Sequence, residues 1–201
     1  MRGRFLAVIV AGFLIGAIAG AGVLALTEKG SQQQPVATSG KALIGGPFTL
    51  VDQNGKTVTD QDFRGRFMLV FFGFTHCPDI CPAELQVMSQ SLDALGPQAE
   101  EVAPIFITLD PERDTPEVVG AYVKNFGQRF LGLTGSPEAI AAAAKAYRVA
   151  YSKFQEDPAS SDYSIDHSAL VYLMGKDGEY VTHFAYGTPP DKLTEELKRF
   201  L

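Results

Sequence analysis

The sequence predicts an α/β domain in which a central mixed sheet carries helices on both faces. Strand-like apolar segments alternate with helical patterns through the middle of the chain, an order typical of strand–helix–strand units. Two hairpin signals, near residues 54 and 177, add antiparallel strands at the ends of this alternation. About 160 residues follow an N-terminal apolar segment, and that length suits one domain with a full hydrophobic core.

The predicted elements are apolar runs bounded by capping and turn residues. Thr115 and Ser136, each followed by Pro and Glu, are typical helix starts, whereas Gly96 and Gly127 are typical helix ends. The elements are, in order, a hairpin over Phe48–Val58, a strand over Phe67–Phe72, a helix over Pro82–Leu95, a strand over Val102–Leu109, a helix over Pro116–Phe126, a strand over Phe130–Leu133, a helix over Pro137–Tyr147, a hairpin of strands Ala169–Met174 and Tyr180–Ala185, and a helix over Pro190–Phe200.

The N-terminal segment Phe5–Leu26 contains 22 consecutive residues without a charge. About 20 apolar residues cross a bilayer as a helix. Arg2 and Arg4 precede the run, which places residues 1–4 in the cytoplasm by the positive-inside rule. A cleaved signal peptide is the competing interpretation, but the apolar core of such a peptide usually has about 7–15 residues. We therefore expect an uncleaved transmembrane anchor.

Residues 27–40 are polar and rich in Gln, Ser and Gly, which predicts a flexible linker. Residues 41–201 are then expected to be the folded domain of a single-pass protein of a bacterial inner membrane, with this C-terminal domain facing the periplasm. After residue 29 the chain carries 14 basic and 22 acidic residues, a formal charge of −8. Such a domain is not expected to bind nucleic acid or anionic lipid.

The two cysteines of the chain, Cys77 and Cys81, directly follow a predicted buried strand and precede a predicted helix. Thiols at a helix N-terminus have a lowered pKa, and thiolates bind soft metals or attack disulfides. A structural disulfide is the alternative, but a bridge that closes so short a loop restrains the unfolded chain very little. In an exported domain the pair oxidises unless a partner reduces it. We therefore predict a functional thiol pair.

The sequence contains three histidines, and His167 is the one predicted to join the thiols. It is expected in a loop at the mouth of a strand that lies beside the cysteine strand. Two thiolates and one imidazole are a soft donor set that suits copper, with zinc also chemically possible. His76 follows the strand too, but adjacent residues rarely point at one centre, so it is expected to tune the pKa of Cys77 or to be solvated. His183 is expected on one face of a strand.

The segment Asp110–Pro116 contains three carboxylates but lacks the glycine and the distal glutamate of a calcium loop. It is predicted to be a tight strand-to-helix turn. In this turn Arg113 pairs with a carboxylate, and Asp114 or Thr115 caps the helix.

Three ordered segments resemble the SCO/SenC family of copper-binding thioredoxin-fold proteins, and the resemblance extends over residues 44–200. These segments are Phe72–Pro82, Thr108–Pro116 and Asp166–Ser168. The resemblance implies a thioredoxin-like fold that binds one copper ion, Cu(I) or Cu(II), per domain. It also implies that the metal ligands are Cys77, Cys81 and His167.

The resemblance further implies a membrane-anchored chaperone, a binding protein rather than an enzyme, which assists assembly of the dinuclear copper centre of cytochrome c oxidase. The expected partners are the copper-bearing subunit of that oxidase, a copper donor protein and a thiol reductant. The alternative is a thiol–disulfide oxidoreductase or redox sensor that uses the redox-active pair Cys77 and Cys81. That activity has no chemical need for His167, and the family includes members with redox or signalling roles.

Overall fold

The structure, a computed structural model, describes residues 43–155 and 162–201. Its strands are β1 (Thr49–Asp52), β2 (Thr57–Thr59), β3 (Phe67–Gly73), β4 (Val102–Thr108), β5 (Leu131–Thr134), β6 (Tyr151–Phe154), β7 (Ser164–His167), β8 (Leu170–Met174) and β9 (Tyr180–Ala185). Its helices are α1 (Ile80–Leu95), α2 (Pro116–Val123), α3 (Pro137–Ala146) and α4 (Pro190–Lys198), with short 3-10 helices over Asp60–Phe63, Gly96–Glu101 and Lys124–Phe126.

The predicted anchor Phe5–Leu26 and the linker over residues 27–40 lie outside the described residues. Within the described residues, no helix has the length and apolarity needed to cross a membrane.

The described residues form a seven-stranded sheet in the order β2-β1-β5-β4-β3-β8-β9. Strands β3, β4 and β5 are parallel, and the outer strands pair antiparallel with their neighbours. The predicted mixed sheet is therefore confirmed. Every residue of β3 and β4 is buried, which explains why both strands are continuous apolar runs in the sequence.

The register of the central strands brings three connecting segments to one edge of the sheet. Gly73 at the end of β3 lies opposite Thr108 at the end of β4, so the loops after both strands begin side by side. Strand β8 runs antiparallel to β3 and pairs Val171 with Phe71. The start of β8, just after His167, therefore lies at the same edge as the cysteine loop.

Helix α1 begins at Ile80 and not at Pro82 as the sequence predicted. Proline lacks an N–H group, but the N–H groups of a first helical turn have no partner within the helix, so Pro82 is tolerated there. Cys81 therefore lies inside the first turn of α1.

A second, two-stranded sheet of β6 and β7 was not predicted from the sequence. His167 is the last residue of β7, so the expectation that it lies in a loop is wrong. Most side chains of these strands are exposed or half-buried, and the apolar alternation that reveals a strand is missing.

Asp114 holds the ends of the three parallel strands together, and it is fully buried. Its Oδ2 accepts hydrogen bonds from the backbone N–H of Thr75 (3.0 Å) and from Thr108 Oγ1 (2.5 Å), and its Oδ1 accepts one from Thr75 Oγ1 (2.6 Å). Thr134 Oγ1 donates to the backbone oxygen of Asp114 at 2.8 Å. One buried residue therefore connects the cysteine loop to β4 and β5.

Replacing Asp114 by Asn should lower the free energy of unfolding by about 3 kcal/mol, because an amide nitrogen then faces buried hydrogen-bond donors. Urea unfolding of the soluble domain measures this change. Asp93→Asn is the matched control, since Asp93 is exposed and pairs with the exposed Arg129, and its effect should stay below about 0.5 kcal/mol. Equal urea midpoints for Asp114→Asn and wild type would show that Asp114 does not hold the strands.

Candidate metal and thiol site

Gly73 allows the sulfur of Cys81 to lie against the end of β3. A Cβ atom at Gly73 would stand 2.8 Å from Cys81 Sγ and 3.1 Å from the ring of Phe106. Both cysteines lie in the described part of the chain, and both are free thiols; Cys81 is buried and Cys77 is half-buried. The two thiols therefore differ in access to solvent and to partners.

The two thiols also differ in acidity. Cys77 Sγ accepts a hydrogen bond from the backbone N–H of Cys81 at 3.4 Å, at the N-terminus of α1. The hydrogen bond from the Cys81 side chain, with help from this N–H and that of Asp79, lowers the pKa of Cys77 to about 5 although burial opposes it. The same sulfur–sulfur hydrogen bond, together with burial, raises the pKa of Cys81. The expectation of a lowered thiol pKa is confirmed for Cys77 and wrong for Cys81.

His167 turns one ring nitrogen toward Cys81. Its Nε2 lies 3.6 Å from Cys81 Sγ, and its Nδ1 lies 3.2 Å from the backbone oxygen of Ser168. Since a carbonyl oxygen can only accept a hydrogen bond, Nδ1 is the donor to Ser168, and Nε2 is the ring nitrogen that faces Cys81. The rings of Phe71 and Phe74 contact the imidazole edge-to-face, each with a centroid distance of 6.1 Å. Hydrogen bond and aromatic contacts together set the orientation of the ring.

The spacing of Cys81 and His167 fits a shared metal ion. The tetrahedral bonds of a zinc site, about 2.3 Å to sulfur and about 2.05 Å to nitrogen, place the two ligand atoms about 3.6 Å apart. The described residues contain no group of three or more His, Cys, Asp or Glu side chains that could hold a metal ion as they stand. Cys81 and His167 are therefore at ligand spacing, and the sulfur of Cys77 is hydrogen-bonded to the N–H and to the side chain of Cys81.

The other two histidines lie away from this pair. The side chain of His76 is 54% exposed, with Nδ1 3.2 Å from Thr75 Oγ1 and 3.8 Å from Asp114 Oδ1. His183 is exposed on β9 and lies 2.5 Å from the hydroxyl of Tyr180. Both positions agree with the sequence-based expectation that neither histidine joins the thiols.

The turn predicted for Asp110–Pro116 is confirmed. Arg113 pairs with Asp110, and Thr115 Oγ1 caps α2 by accepting a hydrogen bond from the N–H of Val118. Asp114, one of the two cap candidates of this turn, instead reaches the cysteine loop through Thr75. Its contact with Thr75 follows from the parallel pairing of β3 and β4, because loops that leave adjacent parallel strands share an edge.

A cavity of about 290 Å³ opens beside the site. Cys77, Ile80, Phe154 and His167 line part of it, and Ile80 and Phe154 are 39% and 43% exposed. Another molecule can therefore reach Cys77 and His167 from solvent, whereas Cys81 stays behind them.

The model of the SCO1/SenC family matches residues 36–201. The chain belongs to the SCO1/SenC family. It is 45% identical over 159 residues to the mitochondrial SCO1 homolog 1 of Arabidopsis thaliana, and 40% identical over 158 residues to a SCO2-like protein of Rickettsia prowazekii. These alignments each cover 79% of the chain, and 47% and 77% of the respective relatives. The chain spans about half the length of the Arabidopsis relative and of the human mitochondrial SCO1 homolog.

Solved structures of similar proteins share the fold of this SCO1/SenC protein. Bradyrhizobium japonicum ScoI with copper bound has a TM-score of 0.73 at 46% identity, covering 79% of this chain and 99% of that one. Arabidopsis thaliana ScoI with copper bound has a TM-score of 0.73 at 43% identity, covering 78% and 96%. The predicted thioredoxin-like α/β fold is confirmed, and copper is present in both of these relatives.

Iodoacetamide should alkylate Cys77 of the reduced domain well before Cys81, because the Cys77 thiolate is accessible and stable. Since the pKa of Cys77 is about 5, its rate should change less than about twofold between pH 6 and pH 8. The alkylation rate of an ordinary thiol with a pKa of about 8.5 rises roughly 75-fold from pH 6 to pH 8. Peptide mass spectrometry of timed samples measures both rates.

The Cys81→Ala variant is the control, since it lacks the S–H donor and should make alkylation of Cys77 more dependent on pH. Faster labelling of Cys81 than of Cys77 in wild type would contradict the assignment of the reactive thiol.

Proposed function

We propose that this SCO1/SenC protein binds one copper ion through Cys77, Cys81 and His167 and delivers it to the dinuclear copper centre of cytochrome c oxidase. The observation that carries the proposal is the 3.6 Å separation of Cys81 Sγ and His167 Nε2. The copper-bound relatives support copper over zinc as the ion.

The three side chains divide the work of binding. Thiolates are soft ligands that favour Cu(I), and the imidazole helps to hold Cu(II). Cys77 is already ionised at neutral pH, so only the buried Cys81 thiol must lose its proton when a metal binds.

The access to the site suits transfer to a partner. Cys77 and His167 line the open cavity, while Cys81 is fully buried against Gly73. An acceptor protein therefore contacts Cys77 and His167 first, and Cys81 is the last ligand to release the ion.

We also propose that Phe5–Leu26 anchors the protein in a bacterial inner membrane, with residues 41–201 in the periplasm. The proposed partners are the copper-bearing oxidase subunit, a copper donor protein and a thiol reductant. A tether raises the effective concentration of the domain near a membrane-bound oxidase. The reductant is needed because a Cys77–Cys81 disulfide has no thiolate with which to bind copper.

A thiol–disulfide oxidoreductase is the second candidate, and the difference between the thiols favours it. Cys77 is accessible and has a low pKa, as an attacking thiol requires, and the buried Cys81 is placed to resolve a mixed disulfide. This activity would leave the position of His167 unexplained.

The reduced soluble domain should bind one copper ion per chain, and the variants Cys77→Ala and Cys81→Ala should lose tight binding of both oxidation states. His167→Ala should weaken the binding of Cu(II) by about 10–100-fold. Its effect on Cu(I) should be smaller, because the two thiolates alone suit Cu(I). Competition with chelators of known affinity, done separately for each oxidation state, measures these changes.

The matched control is His76→Ala, which removes an exposed imidazole beside Cys77 and should leave both affinities unchanged. Unchanged Cu(II) affinity in His167→Ala, or loss of copper in His76→Ala, would contradict the ligand assignment.

In cells, deletion of the gene should lower cytochrome c oxidase activity at limiting copper, and excess copper should restore part of it. The full chain should complement the deletion better than an exported domain without Phe5–Leu26, because the tether supplies proximity and not ligands. Oxidase activity of isolated membranes measures both effects.

Complementation by Cys77→Ala and Cys81→Ala tests the thiols, and His167→Ala separates the two candidate functions. A His167→Ala strain with full oxidase activity at limiting copper would favour the oxidoreductase, which needs only the thiols.

A further inference from the structure

The hairpin of β6 and β7 carries His167 but lies outside the main sheet. Within the described residues its strands pair with each other alone, with Tyr151 opposite His167 and Phe154 opposite Ser164. Each strand has four residues, and an isolated two-stranded hairpin of this size is marginally stable. The position of His167 therefore depends on contacts that the hairpin makes with the rest of the domain.

One set of such contacts lies at the end of the hairpin remote from His167. The hydroxyl of Tyr163, the residue before β7, donates to Asp110 Oδ1 at 2.7 Å. Arg113 donates through Nε to the other oxygen of Asp110 and through Nη1 to the backbone oxygen of Tyr163 at 3.1 Å. The guanidinium carbon of Arg113 also lies 3.7 Å from the centroid of the Tyr163 ring. We call Asp110, Arg113 and Tyr163 the hairpin clasp.

The other strand of the hairpin is held by the same loop. Lys153 on β6 forms an ion pair with Glu112 at 2.8 Å, and its Nζ lies 4.6 Å from the centroid of the Tyr163 ring. Asp110 is fully buried, so its two hydrogen bonds are shielded from water, whereas the pair of Lys153 and Glu112 is exposed and weaker. The clasp is therefore the stronger of the two connections.

The loop between β4 and α2 thus contacts both halves of the candidate site. Through Asp114 it holds Thr75, two residues before Cys77, and through Asp110 and Arg113 it holds Tyr163, four residues before His167. At the near end of the hairpin, the N–H of Ser168 donates to the oxygen of Ala150 at 3.0 Å, which joins the two arms beside His167.

We propose that Asp110, Arg113 and Tyr163 are positioning residues that hold the β6–β7 hairpin against the loop after β4 and so keep His167 at ligand distance from Cys81. None of the three touches the metal; they act through the hairpin. The inference deepens the proposed function and rests on it for the role of His167 as a ligand. Opening of the clasp frees the hairpin to turn about its near end and moves the imidazole away from the thiols.

Arg113→Gln removes the ion pair and the stacked cation, and Tyr163→Phe removes only the hydroxyl while keeping the ring. Both variants should weaken binding of Cu(II), Arg113→Gln by about tenfold and Tyr163→Phe by less, with Cu(I) affinity nearly unchanged because the thiolates remain in place. The control is Arg129→Gln, which breaks the two exposed ion pairs with Asp93 and Glu100 and should change neither affinity.

The apo domain provides a readout that does not depend on copper. Amide hydrogen exchange at Ile165, His167 and Ser168 should rise severalfold in both clasp variants, while the amides of β3 keep wild-type protection. The NMR signals of the His167 ring should shift in the same samples. If Arg113→Gln does not fold, Tyr163→Phe decides the question alone.

Unchanged exchange in the hairpin, or an equal loss of Cu(I) and Cu(II) affinity together with faster exchange in β3, would overturn the clasp as a positioning device. If His167→Ala binds both oxidation states of copper as tightly as wild type does, the proposed ligand set is wrong. The hydrogen-exchange data on the apo domain still decide whether the clasp holds the hairpin.

Discussion

The buried carboxylate of Asp114 is the constraint on which the site depends. A carboxylate without solvent needs hydrogen-bond donors, since an uncompensated buried charge costs several kcal/mol. Thr75 and Thr108 supply these donors from the ends of β3 and β4. If the cysteine loop moved away from the end of β4, Asp114 would lose the two hydrogen bonds from Thr75. These bonds therefore hold the start of α1, with both thiols, beside β4.

On this fixed base the two thiols take unequal roles. Cys81 packs into the space that Gly73 leaves and faces Nε2 of His167. Cys77 caps the helix, stays accessible and ionises readily. The same difference between the thiols is compatible with both proposed functions, metal transfer and thiol exchange. The imidazole is the group that distinguishes the two chemistries.

The sequence predicted an element correctly where the local residue pattern agrees with the environment of that element in the fold. Strands β3 and β4 are buried on both faces, so their composition alone revealed them, and the caps of α2 and α3 were equally local. The β6–β7 hairpin was missed because partners distant in sequence stabilise it, such as Arg113 beneath Tyr163. Helix α1 starts earlier than predicted because a proline within a first turn gives no signal of how many residues precede it.

By itself the sequence determined the order of the elements apart from β6 and β7, the resemblance to the SCO1/SenC family and, through that resemblance, the three candidate ligands, since these are properties of residue type and short spacing. Only the tertiary structure decided that Cys81 Sγ and His167 Nε2, which belong to residues 86 positions apart, lie 3.6 Å from each other. It also decided that Cys81, and not Cys77, is the buried thiol. The physical reason is the antiparallel register of β3 and β8. It brings the residues after one strand and before the other to the same edge, and no local pattern records that register.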